Sequence, residues 1–335
     1  MNFLRKILFP FAVLYGFVTQ LRNFLFDIGI LKSYTFKTPV IAVGNLSVGG
    51  TGKTPQIEYL IRLLAKDHKI ATLSRGYKRK SKGFILADEK ASAEILGDES
   101  FQFYRKFPQI NVAVDADRKN GIEQLLSHSK PEIILLDDAF QHRKVKAGFY
   151  ILLTAYGDLY TDDLMLPTGN LRESRSGAKR ANVIIVTKCP PNLSESEQDE
   201  IWKKIDPDFN QQLFFTYIAY DHQVFSEDAV LDAGQIKNTK KVLLAGIAKP
   251  QPFFDYLKNE NDIILEFPDH HDFSDADIES IKNKADGNII VTTEKDFVRL
   301  QGKIPRNQLL YLPIKSDFIL DHLGFDAAIR KYISI

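Results

Sequence analysis

The sequence predicts an α/β protein built on a parallel sheet, and three observations carry that expectation. From residue 40 onward, short runs of Val, Ile and Leu alternate with helical patterns. A glycine-rich turn joins the first such run to the first helical stretch. A second series of alternations begins after about residue 212. Strands buried on both faces read as continuous apolar runs, because helices cover each side of the sheet.

The elements follow in order. Residues 1–40 open with "MNFLRKILFPFAVLYGFVTQLRNFLFDIGIL", an apolar helical segment punctuated by Arg5, Lys6 and Arg22. Its longest uncharged stretch, Ile7 to Leu21, contains Pro10 and falls short of the ~20 residues a spanning helix needs. No small-residue cleavage site follows, which argues against a secretory signal. Two readings stand: a helix lying in a membrane interface, or a helix packed on the protein's own core. In residues 41–212 the expected strands are "VIAVGN", "IATLSR", "NVAVD", "EIILLDD", "FYILLTA" and "NVIIVTK", with helices around 56–67 and 118–128. In residues 213–335 a smaller α/β domain reads as "LFFTYIAY", "KKVLLAGIA", a helix around 252–259, "DIILEFPD", a helix around 275–284, and "NIIVTTEKD".

With 335 residues, the chain has the length of about two domains on a prior of ~150 residues each. The net charge of +1 argues against a nucleic-acid partner, which usually meets a strongly basic face. The single cysteine, Cys189, rules out an internal disulfide and a four-cysteine zinc site. Nothing in the pattern calls for an obligate protein partner.

"SVGGTGKTP", residues 47–55, sits between strand and helix, the context that gives a phosphate loop its meaning. Ser47, Val48, Gly49, Gly50, Thr51, Gly52, Lys53 and Thr54 are the expected ATP-binding residues. The glycines let backbone N–H groups turn toward phosphate oxygens, and the helix N-terminus adds positive potential. Lys53 would reach the β- and γ-phosphates, and Thr54 would offer its hydroxyl to Mg²⁺. Ser47 stands where the pattern has glycine, which a short residue tolerates if its φ is negative. A glycine-rich turn with an incidental Lys-Thr is the bland alternative. "EIILLDDAFQH" ends a hydrophobic strand with Asp137 and Asp138, a source of metal ligands. Adjacent strand residues point to opposite sides, so the two should divide the work; alternatively one caps a helix. Pro190 in "VTKCP" replaces the aspartate of a guanine-reading motif, and Phe140 replaces the glycine of a GTPase switch, so ATP is the expected nucleotide.

"GNLSVGGTGKTP", "LSRGYKRK", "LGDES", "LLDDAFQHR", "LPTGNLRE", "EFPDHHDF" and "VTTEKD", in that order, resemble the motifs of the tetraacyldisaccharide 4'-kinase (lipid A 4'-kinase) family. The likeness runs from about residue 40 to 300. It implies two α/β/α sandwich domains, the first P-loop NTPase-like, joined by a short two-stranded linker and preceded by an apolar helix. It also implies ATP-dependent phosphorylation of a lipid disaccharide's 4'-hydroxyl at the cytoplasmic face of the bacterial inner membrane. By the same resemblance, Asp98 matches a general base and His270 its supporting histidine. Asp137, Asp138 and Glu173 match acidic residues around the metal, Arg172 a basic residue near the transferred phosphate, and Tyr77 a cleft motif. The family usually has glycine where this chain has Ala139. From the residues alone, Asp98 also reads as a helix N-cap, and His270 or His271 as surface histidines. Arg172, Arg175, Lys179 and Arg180 could clamp phosphate or meet anionic lipid, and the last three could equally lie on a solvated face. The competing function is a P-loop ATPase or GTPase of conformational or metallochaperone type.

Overall fold

The structure, a computed structural model, describes residues 5, 7–269 and 271–334. The chain forms two units, one of Met1–Ile218 with Ser316–Ile335 and one of Ala219–Lys315.

The first unit begins with α1 (Phe9–Asp27), β1 (Val40–Asn45), α2 (Lys53–Leu64), β2 (Ile70–Ser74) and β3 (Ile85–Leu86). It continues through α3 (Ala93–Leu96), α4 (Asp98–Lys106), β4 (Asn111–Val114), α5 (Arg118–His128), β5 (Ile133–Asp137) and β6 (Phe149–Ala155). A 3₁₀ turn (Arg175–Arg180), β7 (Val183–Thr187), α6 (Glu195–Ile205) and β8 (Gln212–Tyr220) follow. The chain returns along β15 (Ile314–Phe318) and ends in α11 (His322–Ile333). The sheet order is β15-β8-β7-β6-β1-β5-β2-β4-β3, with β1 parallel to both β5 and β6.

Alternation along β1 explains why both faces are covered. Ile41 and Val43 pack with Ile57, Leu60, Ile61 and Leu64 of α2. Val40 and Ala42 face the other way, toward Ile122 and Leu125 of α5. Each fully buried Leu or Ile contributes ~1.5–3 kcal/mol, so both layers hold the sheet strongly. The carboxyl ends of β1, β2 and β5 come out along one edge, where open α/β sheets bind ligands.

The end of the chain corrects the expected boundary. Residues 213–335 read as one C-terminal domain, yet Ser316–Ile335 belong to the first unit. Phe325 and Ile329 of α11 lie fully inside the first core. The Tyr332 hydroxyl accepts from Val40 N at 3.1 Å and donates to Val40 O at 3.2 Å. Tyr59 of α2 donates to Asp326 at 2.9 Å. No local pattern says which core receives this helix, because its partners lie far back along the chain.

The second unit holds β9 (Gln223–Phe225), β10 (Val230–Asp232), α7 (Ala233–Asn238), β11 (Lys241–Ala245), α8 (Gln251–Leu257) and β12 (Ile263–Glu266). After these come α9 (Asp275–Ala285), β13 (Ile289–Thr293), α10 (Glu294–Leu300) and β14 (Leu309–Leu312). Its sheet order is β10-β9-β14-β13-β11-β12, parallel from β14 to β12.

α1 is a surface helix and not a core helix. Pro10 sits in its first turn, where the missing N–H costs nothing. Only Ala12 and Gly16 are buried, while Phe9, Phe11, Val13, Leu14, Phe17, Val18, Leu21 and Phe24 are 46–63% exposed. No helix among the described residues is long and apolar enough to cross a membrane. Two of the cations that punctuate the segment, Arg5 and Arg22, turn to the protein itself. Arg5 donates to Pro167 O, Gly169 O and Asn170 Oδ1, and Arg22 to Gln141 O at 3.2 Å. These two cations dock the helix on the protein; Lys6 lies outside the described residues.

Candidate active site

The phosphate loop is strung between two anchors. Ser47 bridges antiparallel to Leu171, and Val48 N donates to Asn170 O at 2.8 Å. On the other side, Thr187 Oγ1 donates to Thr51 O at 2.8 Å and Lys188 Nζ to Gly50 O at 2.5 Å. These contacts pull loop carbonyls toward the protein. Gly52, the N-cap of α2, has φ of 81°, a left-handed conformation that favours glycine. Ser47 is not among the residues with positive φ, as its short side chain requires. Lys53 and Thr54 then form the first turn of α2.

Lys53 Nζ lies 3.1 Å from Asn45 Oδ1 and 3.6 Å from Asp138 Oδ1. Arg172 grips Asp138 with both terminal nitrogens, at 3.1 and 2.8 Å, and donates to Asn45 Oδ1 at 2.6 Å. Asn45, Lys53, Asp138 and Arg172 thus form one polar knot at the end of β1. Asn45 was not among the expected site residues. Its signal was a polar side chain closing the apolar run "VIAVGN" just before the loop.

The two strand-end aspartates have unlike surroundings. For Asp138, burial opposes ionisation, but the Arg172 hydrogen bond and the Lys53, Arg172 and Arg118 charges outweigh it and hold the carboxyl at about 2. For Asp137, burial dominates; Asp138 and Glu99 add to it against the pull of Lys53 and Arg118, and the carboxyl rises to about 7. Asp137 is only 7% exposed, and its Oδ1 has no hydrogen-bond partner among the described residues. The split arises because Asp138 takes φ of 47° and swings toward Arg172. Ala139 has no positive φ, so the departure from the usual glycine is harmless. The glycine that matters is Gly44, where a Cβ would stand 2.7 Å from Phe140 Cβ.

Glu173 does not fit its expected place beside a metal. Its Oε1 accepts from Arg180 at 2.7 Å and Gln141 at 3.0 Å, and its Oε2 from Asn23 at 2.8 Å. With both oxygens engaged, it organises the loop. Gln141, also absent from the expected set, links Glu173 to Asn45 O at 2.7 Å. The basic run divides as well. Arg175 donates to Asp163 O, Arg180 serves Glu173, Lys179 is exposed, and Arg172 alone reaches the polar knot.

Asp98 does not cap α4: Gly97 is the N-cap, with no side-chain cap bond, and Asp98 is the first helical residue. Ser100 pins that turn to Ser74 at the end of β2 through a 2.6 Å hydroxyl pair. Gly97 packs against Tyr77 O, where a Cβ would come within 2.8 Å. Tyr77 itself is exposed. The charge of neighbouring Glu99 is felt at Asp137, so the α4 start and the end of β5 share one region. His270 lies outside the described residues. His271 is bonded to Asp277 at 3.0 Å and packed on Phe267.

Among the described residues no group of three or more His, Cys, Asp or Glu could hold a metal. Mg²⁺ on a nucleotide needs none, because phosphates and waters supply most of its oxygens. The orphaned oxygen of buried Asp137 fits such an ion, and Thr54 brings a hydroxyl to the first turn of α2. A phosphate loop opening α2, beside a strand-end carboxylate and two converging cations, defines a P-loop enzyme that acts on the γ-phosphoryl group of a nucleotide. The sequence profile of the family described as Tetraacyldisaccharide-1-P 4'-kinase matches residues 4–334, and the chain belongs to that family. It is 69% identical to the tetraacyldisaccharide 4'-kinase of Flavobacterium johnsoniae, over 99% of this chain and 98% of that one. With the enzyme of the same name from Phocaeicola vulgatus it shares 46% identity, over 98% and 95%. The crystal structure of Aquifex aeolicus LpxK in complex with ATP is similar at a TM-score of 0.80 and 32% identity, covering 98% of this chain and 99% of that one.

Proposed function

We propose that this tetraacyldisaccharide 4'-kinase of lipid A biosynthesis moves the γ-phosphoryl group of ATP to the acceptor's 4'-hydroxyl through the residues gathered around β1. The unlike surroundings of Asp137 and Asp138 carry the assignment. Asp138, held ionised by Arg172, fixes that guanidinium and Lys53 side by side as donors for the transferred group. Asp137, buried with an orphaned oxygen, and Thr54 hold Mg²⁺. An ion held there would supply positive charge against the negative charge that develops on the transferred group. Asp98 receives the proton of the acceptor hydroxyl, a poor nucleophile until it is deprotonated. Incubation with ATP, Mg²⁺ and the tetraacyl disaccharide 1-phosphate tests the reading directly. A lipid carrying a second phosphate supports it; ATP loss without that product supports an ATPase without a lipid substrate.

The Asp137 assignment has a pH signature. A carboxyl raised to about 7 is protonated below that pH in the folded protein, and a metal needs the carboxylate. Apparent Mg²⁺ affinity should therefore weaken about tenfold per pH unit below about 7 and level off above it. Without Mg²⁺ the sign for stability reverses. The folded state holds the extra proton, so this group's contribution declines as pH rises from 3.8 to about 7. Asp137→Asn should abolish the pH dependence of Mg²⁺ binding, measured by titrating the ion at pH 6, 7 and 8. An unchanged profile would place the metal elsewhere.

An acceptor with four acyl chains is met at a bilayer surface, and α1 supplies the contact. Its exposed Phe, Leu and Val side chains would bury in the interface at ~0.8 kcal/mol per CH₂. We place the enzyme peripherally on the cytoplasmic face of the bacterial inner membrane, where ATP is available. Deleting residues 1–30 should release the protein from vesicles. Detergent should extract the full chain and high salt should extract little of it, because Arg5 and Arg22 donate to protein carbonyls. A truncated protein that still sediments with vesicles would move the membrane contact elsewhere.

A further inference from the structure

The face of α1 opposite its exposed apolar side is bonded, at intervals, to the chain segment that carries Arg172. Arg5, just ahead of the helix, donates to Gly169 O at 2.8 Å and Asn170 Oδ1 at 3.2 Å. Tyr15 donates its hydroxyl to the backbone oxygen of Arg172 at 3.0 Å. Asn23 donates its amide to Glu173 Oε2 at 2.8 Å. Asn23 lies on one stripe with Ala12 and Gly16, the buried residues of the helix, because spacings of eleven and seven are close to whole numbers of turns, and Tyr15 stands at the edge of that stripe. Between them, Gly16 faces Met165, whose Cγ would be in ordinary contact, 3.5 Å, with an added Cβ.

The segment these contacts hold belongs to the nucleotide site. Asn170 O receives Val48 N of the phosphate loop, Leu171 bridges Ser47, and Arg172 N donates to Leu46 O at 2.7 Å. The Arg172 side chain then spans Asn45 and Asp138. We infer that α1 is a positioning element of the phosphoryl-transfer site: the Asn23 amide fixes Glu173, and through it the segment that presents Arg172. An amide matches this task. Ionised Glu173 only accepts hydrogen bonds, and a carboxylate at position 23 would repel it. With Arg180 and Gln141 on its other oxygen, Glu173 is held from three sides, and the Asn23 contact alone comes from α1. One helix therefore meets the bilayer on one face and sets the catalytic arginine on the other, which ties turnover to correct seating at the surface.

The inference rests on the proposed contact of Arg172 with the transferred phosphoryl group, and the test separates the two. Full-length Asn23→Leu, Asn23→Gln and Arg172→Ala are assayed in mixed detergent micelles, where membrane attachment is not limiting, with vesicle sedimentation alongside. Asn23→Leu should sediment with vesicles as the parent does, yet lose about tenfold in kcat with KM for ATP changed less than about twofold, as expected for a misplaced transition-state contact. Asn23→Gln keeps the amide donor and should recover more than half of that loss. Adding Glu173→Gln to Asn23→Leu should give a double variant little worse than the worse single. Parental kcat in Asn23→Leu, equal losses in the Leu and Gln variants, or fully additive losses with Glu173→Gln would each overturn the inference. If Arg172→Ala were as active as the parent, the reading of Arg172 itself would fall, whatever Asn23 does.

Discussion

Lys53→Ala is expected to lower kcat by about 10³-fold while the protein stays folded. Loss of one preorganised donor at a developing charge costs ~10²–10³, and Lys53 opens α2 directly after the phosphate loop. Its ammonium already stands beside Asn45 and Asp138, so little reorganisation is needed to meet phosphate. The variant should keep its melting temperature, because Arg172 still neutralises Asp138 through two bonds. Lys53→Arg should not restore turnover, since a planar fork does not replace a compact point charge at the loop. Near-parental activity in folded Lys53→Ala would end the phosphate-loop assignment.

Asp98→Ala is expected to cost about 10²–10⁴ in kcat, the usual range for removing a general base. KM for ATP should move little, because the role proposed for Asp98 is at the acceptor hydroxyl and not at the nucleotide. Gly97 holds the N-cap of α4 with no side-chain cap bond, so alanine at position 98 escapes the ~1 kcal/mol cost of a lost cap. Asp98→Asn, of nearly equal shape, should be as inactive as the alanine variant. Substantial activity in Asp98→Asn would mean that another group takes the proton.

Much of the first unit could be read from residue order because its signals are local. The run "VIAVGN", the glycines of 49–52 and the pattern after Lys53 each announce themselves within a few residues, and β5 ends at Asp137 as "EIILLDD" suggested. What sequence could not supply are partnerships across long stretches of chain. Asn45 meets Arg172 and Gln141 meets Asn45 only after β1, β5 and the 171–173 segment converge. Glu173 resembled a metal-site acid by motif, yet its neighbours Arg180, Gln141 and Asn23 are set by packing. Sequence proposed that Asp137 and Asp138 divide their work; the left-handed turn at Asp138 determines which one faces Arg172. For α1 the composition was plain, but whether it lay on the core or on the surface depended on which side found partners.

The return of α11 to β1 has a consequence for how the chain is made. Synthesis delivers β1 through β8 first, then the second unit, and only then the helix whose Phe325 and Ile329 fill the first core. A ribosome adding ~5–20 residues per second takes about 5–20 s over the roughly hundred residues between. Through that interval the nascent kinase sheet carries an open seam beside Val40, which Tyr332 has yet to close. The unit that emerges first is therefore the last to be sealed, and its birth leans on whatever shields an unfinished apolar face.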